Sequence, residues 1–141
     1  NAVQEMNKPQ AWMAGLPAMG GLATATALAK FYQAAIGEIE HFSNSVQEWM
    51  GTPIVMGEDL VLKTPTRFSC GFQFDPLDSF GQKLRHNYGI SDRAFGHPGA
   101  GGSHAFGDPD TGISLAYTMN QMELAVLPNS KSLGIIEALY S

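Results

Sequence analysis

The sequence predicts an α+β domain in which helices pack on an antiparallel sheet, and three observations carry this. Between residues 24 and 50, apolar positions recur at the spacing of one helix face. From Arg67 they alternate as they do along strands, and a last helical pattern follows Pro128-Asn129. Helices grouped before and after a run of strands, rather than interleaved with them, define this class. At 141 residues, 44% of them hydrophobic and 15% charged, the chain is long enough to bury one core spanning residues 1–141.

Residues 1–21 hold short apolar pieces punctuated by Pro9, Gly15, Pro17, Gly20 and Gly21, so no long element is expected there. Trp12, Met13, Leu16 and Met19 are expected to cover a core edge. Leu28, Phe31, Tyr32, Ala35 and Ile36 mark a helix that Thr24 caps and Gly37 stops. Ile39, Phe42, Val46, Trp49 and Met50 mark a second, ended by Gly51-Thr52-Pro53, and the two read as a helical hairpin. Residues 53–66 admit short strands or extended loop equally. Phe68, Cys70, Phe72 and Phe74 alternate with Ser69, Gly71 and Gln73, which predicts one half-buried strand closed by Asp75-Pro76. Residues 77–91 are more polar and read as a surface excursion. Ser130 is expected to cap a final helix with Leu133, Ile136, Leu139 and Tyr140 on one face.

The stretch from Phe95 to Phe106 has four glycines in twelve residues, which lets groups approach its backbone N–H donors closely. His104 stands where a dinucleotide fingerprint needs its third glycine, no amphipathic helix follows, and there is no P-loop lysine. Instead, alternation resumes on both sides of Asp108-Pro109-Asp110-Thr111-Gly112, a hairpin signal. The glycine run therefore enters an antiparallel strand.

His97-Pro98-Gly99-Ala100-Gly101-Gly102, the Asp108-Pro109 turn and the strand running to Tyr117-Thr118-Met119-Asn120-Gln121-Met122 resemble the C-terminal part of the serine β-lactamase-like family. That family includes class C β-lactamases, penicillin-binding DD-peptidases and related esterases. Gly20-Gly21-Leu22-Ala23-Thr24, leading into Leu28-Ala29-Lys30-Phe31-Tyr32, resembles the helix start that precedes the family's last strands.

The resemblance implies hydrolysis of a small ester or amide through an acyl-enzyme. It assigns the acylated serine to a Ser-x-x-Lys motif and proton transfer to a Tyr motif, commonly Tyr-x-Asn. A strand-edge motif, often Lys-Thr-Gly and His-x-Gly in many esterase-like members, completes the site. His97, Pro98 and Gly99 stand at this third motif, and Ala100 stands where the family gives a backbone N–H to the oxyanion hole. Such a donor suits an acyl-transfer transition state, whose carbonyl oxygen gains negative charge, and a histidine titrating near neutrality suits proton exchange with a leaving group. Pro98 replaces the threonine of the β-lactamase motif, which argues for an esterase or peptidase rather than a penicillin binder. Asn120 is placed by the resemblance near the substrate, although a strand-terminating Asn is the alternative.

None of the ten serines has a lysine three residues on, and none of the four tyrosines has an Asn two residues on. The expectation is a partial domain, inactive alone, whose serine and lysine lie upstream of Asn1 in an intact protein. The alternative is a non-catalytic binding or self-assembling module of the same truncated fold; self-association is expected through the apolar surface that the missing part would bury. A third option is an independent hydrolase built on Ser103 with His97 or His104 and Asp108 or Asp110, against which the lack of a G-x-S-x-G elbow counts.

Other chemistry is thinly signalled. His97 and His104 lie seven apart with no Glu between them, so no metal is expected, and no cofactor motif is present. Cys70 reads as an inert packed strand residue. The net charge of −5 with scattered basic residues argues against nucleic acid. No apolar run has the ~18 residues of a membrane span, and no signal-peptide pattern is seen, which leaves the compartment open and leaning cytoplasmic.

Overall fold

The structure, a computed structural model, describes residues 2–17 and 20–141. Two short helices, α1 (Ala2–Glu5) and α2 (Pro9–Trp12), precede α3 (Ala25–Ala35) and α4 (Asn44–Gly51). Six strands follow: β1 (Val55–Glu58), β2 (Pro65–Phe68), β3 (Gln73–Phe74), β4 (Phe95–Pro98), β5 (His104–Asp108) and β6 (Ile113–Tyr117). Helix α5 (Ser130–Leu139) ends the chain. The strands form one antiparallel meander in sequence order, β1 to β6. Among the described residues no helix is long and apolar enough to cross a membrane.

The alternation along β4 and β5 decides which core each residue joins. Phe95 pairs with Gly107 and His97 with Ala105, so these four face one side; Gly96 with Phe106 and Pro98 with His104 face the other. On the first side Phe95 and Ala105 pack with Tyr32 and Ala35 of α3, Met50 of α4 and Phe74. Gly107 has no Cβ because Ile36 and the Tyr32 carbonyl occupy that space, letting α3 lie close on the sheet. On the second side Phe106 packs with Tyr88, Ala94 and Ile136 of α5.

Helix α3 is as the sequence predicts: the Thr24 hydroxyl accepts from the Ala27 N–H, and Gly37 leaves the helix at φ +89°. The second helix is shorter than its apolar spacing implies, starting at Asn44, so Ile39 and Phe42 precede it. It meets α3 through Gln47, whose Nε2 donates to the Ala34 carbonyl at 3.0 Å. Trp49 is exposed while Met50 is buried. The ambiguous residues 53–66 supply β1 and its turn to β2, where Asp59 Oδ1 accepts from the N–H groups of Val61 and Leu62.

The single strand expected over residues 67–74 is instead a tight hairpin, β2 paired to β3. Gly71 turns at φ +98°, and the Ser69 hydroxyl donates to the Met50 carbonyl at 2.6 Å. Period-2 alternation carries across so short a turn, which is why it masks the reversal. Cys70 sits exposed on that turn, not packed in a strand. Trp12, Met13 and Leu16 are also exposed and cover no core edge, and Met19 lies outside the described residues.

The polar stretch 77–91 does not stay on the surface. Lys83 reaches inward to Asp75, Nζ to Oδ2 3.2 Å, with the two side chains 5% and 0% exposed. The same ammonium donates to the Gly89 carbonyl, and Asp75 accepts from the backbone N–H groups of Asn87 and Tyr88. Tyr88 is buried, its hydroxyl donating to Gln73 Oε1 at 2.8 Å. At α5 the cap is Asn129 rather than Ser130: its Oδ1 accepts from the Ser132 N–H. Leu133 and Ile136 face the core as expected, but Leu139 is exposed.

Candidate active site

The expected strand-edge motif lies on an open flank. Strand β3 pairs with β4 only at Phe95 and Gly96, so from His97 onward that side of β4 has no strand beside it. The opposite side is held by β5 as far as Pro98. His97 is exposed and Pro98 buried. The His97 Nδ1 lies 2.8 Å from the Pro98 carbonyl. A carbonyl can only accept, so this contact places the proton of the neutral ring on Nδ1 and leaves Nε2 with a free lone pair.

Beyond Pro98 the backbone folds onto itself. The Gly99 N–H donates to the Ser103 carbonyl at 2.6 Å and the Gly102 N–H to the Gly99 carbonyl at 3.0 Å. Gly101 and Gly102 sit at φ +98° and +119°, which only glycine adopts without strain. Ala100, at the tip, is exposed, and its N–H meets no acceptor among the described residues. An unengaged backbone donor is one feature an oxyanion site requires.

Sequence reasoning missed what holds this turn in place. The Gly101 N–H donates to the Ala125 carbonyl at 2.8 Å, and the Glu123 N–H donates back to the Gly101 carbonyl at 2.9 Å. Met122 lies over Gly101 so closely that a Cβ there would sit 2.5 Å from its Cε, and the Asn129 amide blocks a Cβ on Gly102. These contacts join the turn to the loop before α5. Asn120 is exposed, three residues past β6 and at the same end of the sheet as this turn.

Two buried rings lie beside the motif. Burial pushes the Tyr32 phenol up, against a lowering hydrogen bond from the His97 backbone. Burial, and secondarily the charge of His97, push His104 down to about 4. His97 and His104 face opposite sides of the sheet, so they cannot share a metal ion. The Ser103 triad is not assembled either, because Asp108 stands at the far end of β5. Its carboxylate accepts from the Ser91 hydroxyl at 2.6 Å and the Tyr140 hydroxyl at 3.1 Å. A cleft of about 790 Å³ between α5 and residues 85–90 contains none of the motif residues. Its lining mixes the apolar Ile90, Leu127, Leu133 and Ile136 with His86, Glu137, Tyr140 and Ser141. The open edge of β4, which carries the motif, is taken as the site candidate.

Comparison with known proteins identifies the family and the fold. The family model described as Beta-lactamase matches residues 1–139. No curated protein matches. A penicillin-binding protein homolog from Caulobacter crescentus is 33% identical, with a TM-score of 0.71 over 84% of this chain and 31% of its own. A family VIII carboxylesterase is 30% identical, with a TM-score of 0.67 over 80% of this chain and 30% of its own. EstA from Arthrobacter nitroguajacolicus Rue61a shares the fold at 24% identity, with a TM-score of 0.71 over 96% of this chain and 38% of its own. The chain thus spans about a third of the length of the structures it matches. With a family model covering all but its last two residues and an antiparallel sheet that superposes on these structures, the chain belongs to the Beta-lactamase family.

Proposed function

We propose that this chain forms the strand-edge wall of an acyl-transfer site that hydrolyses a small ester or amide. The observation that carries this reading is the unengaged Ala100 N–H at the end of β4, where the neighbouring β3 has already stopped. A substrate carbonyl lying along that edge meets Ala100 as its oxyanion donor. His97, with Nε2 free, exchanges a proton with the leaving group, while Pro98 and Gly99 shape the wall and Asn120 borders it from the loop after β6. Loss of one such donor lowers turnover by about 10²–10³-fold in comparable sites. Pro98 has no hydroxyl or N–H to offer a penicillin carboxylate, which favours an ester or peptide-like substrate.

The nucleophilic serine and its lysine come from outside these 141 residues, so this chain alone is inactive. The test is an intact mass before and after incubation with a fluorophosphonate, which marks serines activated for acyl transfer. No adduct is expected. A stoichiometric single adduct would sink the reading, and mapping it would name the serine.

A second reading, self-assembly, is favoured by the outer hairpin. Strand β1 is an edge with all four residues exposed, and Val55, Met56, Leu60 and Val61 are between 61% and 87% accessible. An exposed apolar edge, here with one charge, Glu58, at its end, is a template for pairing with another strand. A mass by light scattering that rises with concentration, and falls to the monomer in Met56→Lys, is the expected result. A concentration-independent monomer removes this reading.

A further inference from the structure

His104 has no role in the proposed chemistry, yet it is 2% exposed, and neither ring nitrogen has a hydrogen-bond partner among the described residues. It opens β5, directly after the glycine turn, and its register partner on β4 is Pro98 of the candidate motif. Tyr88 meets the ring edge-on, centroids 5.4 Å apart at 80°, and Phe106 lies 6.3 Å away on the same face. A neutral imidazole in this setting forgoes one or two hydrogen bonds; a charged one loses its whole hydration with nothing in return.

We propose that His104 is an acid-sensitive latch for the end of the sheet that carries His97 to Ala100. When its buried imidazole takes a proton from bulk water, His104 parts from Tyr88 and the adjoining 99–103 turn opens with it, while the aromatic core beneath α3 stays closed.

The groups around the ring give the proton no counter-charge. On β4 the nearest titratable side chain is His97, whose own proton would repel it, and on β6 the register partner is Tyr117. From residues 77–91 comes Tyr88, whose phenol burial pushes well up and keeps uncharged. The Asp75 carboxylate behind it is occupied by Lys83 and by the Asn87 and Tyr88 N–H groups. Helix α5 turns Ser132 and Ile136 inward, neither titratable, and its Lys131 pairs with Glu123 on the surface. The cheapest way to hydrate a charged His104 is to open the segment it terminates. That segment is held by four backbone bonds, two of its own and two to residues 123 and 125, whereas Phe95 and Tyr32 lie deeper in a continuous core.

Amide exchange of the 141-residue chain, measured by NMR from pH 7.5 to 4 and corrected for intrinsic rates, tests this. Between the ordinary histidine value of 6.5 and about 4, the protection of the Gly99, Gly101 and Gly102 amides is expected to fall about tenfold per pH unit, while that of Tyr32 and Ala35 holds. In His104→Phe, which keeps a ring without a proton site, the same amides are expected to lose this dependence. Flat protection in the unaltered chain, or an equal fall in His104→Phe, would overturn the proposal. So would an imidazole resonance of His104 that titrates at the ordinary value, a readout independent of whether the variant folds.

Discussion

Replacing Lys83 with methionine keeps most of the side-chain volume and removes the charge, which isolates what the buried ion pair contributes. In the native chain the ammonium has two oxygen partners, Asp75 Oδ2 at 3.2 Å and the Gly89 carbonyl at 3.0 Å, in a setting where neither charged side chain is more than 5% exposed. Without the ammonium, Asp75 remains a buried carboxylate compensated only by the Asn87 and Tyr88 N–H groups. Breaking one side of such a pair costs about 3–5 kcal/mol, a large part of the ~5–15 kcal/mol that holds a domain together. With a urea slope of about 2 kcal/mol/M, Lys83→Met is expected to lower the unfolding midpoint by about 2 M. Asp75→Asn keeps an acceptor for the two N–H groups but strands the lysine, and a similar loss is expected. The double variant removes both charges, so its loss should fall short of the sum of the singles by more than about 1 kcal/mol. A Lys83→Met midpoint within 0.5 M of the unaltered chain, taking ~1 kcal/mol as the ceiling for a solvated pair, would refute the argument and return residues 77–91 to the surface.

Two other perturbations follow from the same contacts. Burial raises the Asp108 carboxyl, but the Ser91 hydroxyl, the Asp110 N–H and the Tyr140 hydroxyl outweigh it and hold the group below its ordinary 3.8. A group depressed in the folded state stabilises it above the unfolded value and ceases to as the pH falls through the folded one. Ser91→Ala should therefore move acid unfolding, followed by circular dichroism, to higher pH; no movement would remove Ser91 from the account. Gly101→Ala meets both a left-handed backbone at φ +98° and Met122 Cε at 2.5 Å. A loss of about 2–3 kcal/mol in urea is expected, of which Met122→Ala should restore only the steric part.

The helical layer was legible in the sequence because its signals are local. Thr24, Gly37 and the spacing through Ile36 each act within a turn of where they stand, and α3 follows them closely. The reversal at Gly71 was hidden, since the alternation of Phe68, Phe72 and Phe74 is the same whether the chain runs on or folds back. Residues 77–91 misled for a different reason. Lys83 is hydrophilic by composition and buried by partnership, and Asp75, eight residues before it, is visible as a partner only once the loop closes. Of the candidate site, His97, Pro98, Gly99 and Ala100 were readable as a motif. The open flank of β4 was not, because it depends on β3 ending after two residues.

That division follows from a site built of main chain. The proposed donor at Ala100 is a backbone N–H with no side-chain signature of its own, so the residues that would hold it in place are free to lie elsewhere. Here they come from two distant segments. Residues 122–125 bond both backbone groups of Gly101, and Asn129 closes over Gly102 while capping α5. From the other side, the Lys83–Asp75 pair fixes the backbone of Tyr88, whose ring braces His104 behind Pro98. The two supports differ in kind. The first is hydrogen bonding between backbone groups, which carry no titrating proton; the second ends in an imidazole that, in the proposed latch, must stay neutral. Damage to the loop at 122–125 should therefore loosen the Ala100 edge at every pH. Acid should loosen it through His104, so the two routes are separable by measuring the same glycine amides in the unaltered chain and in His104→Phe.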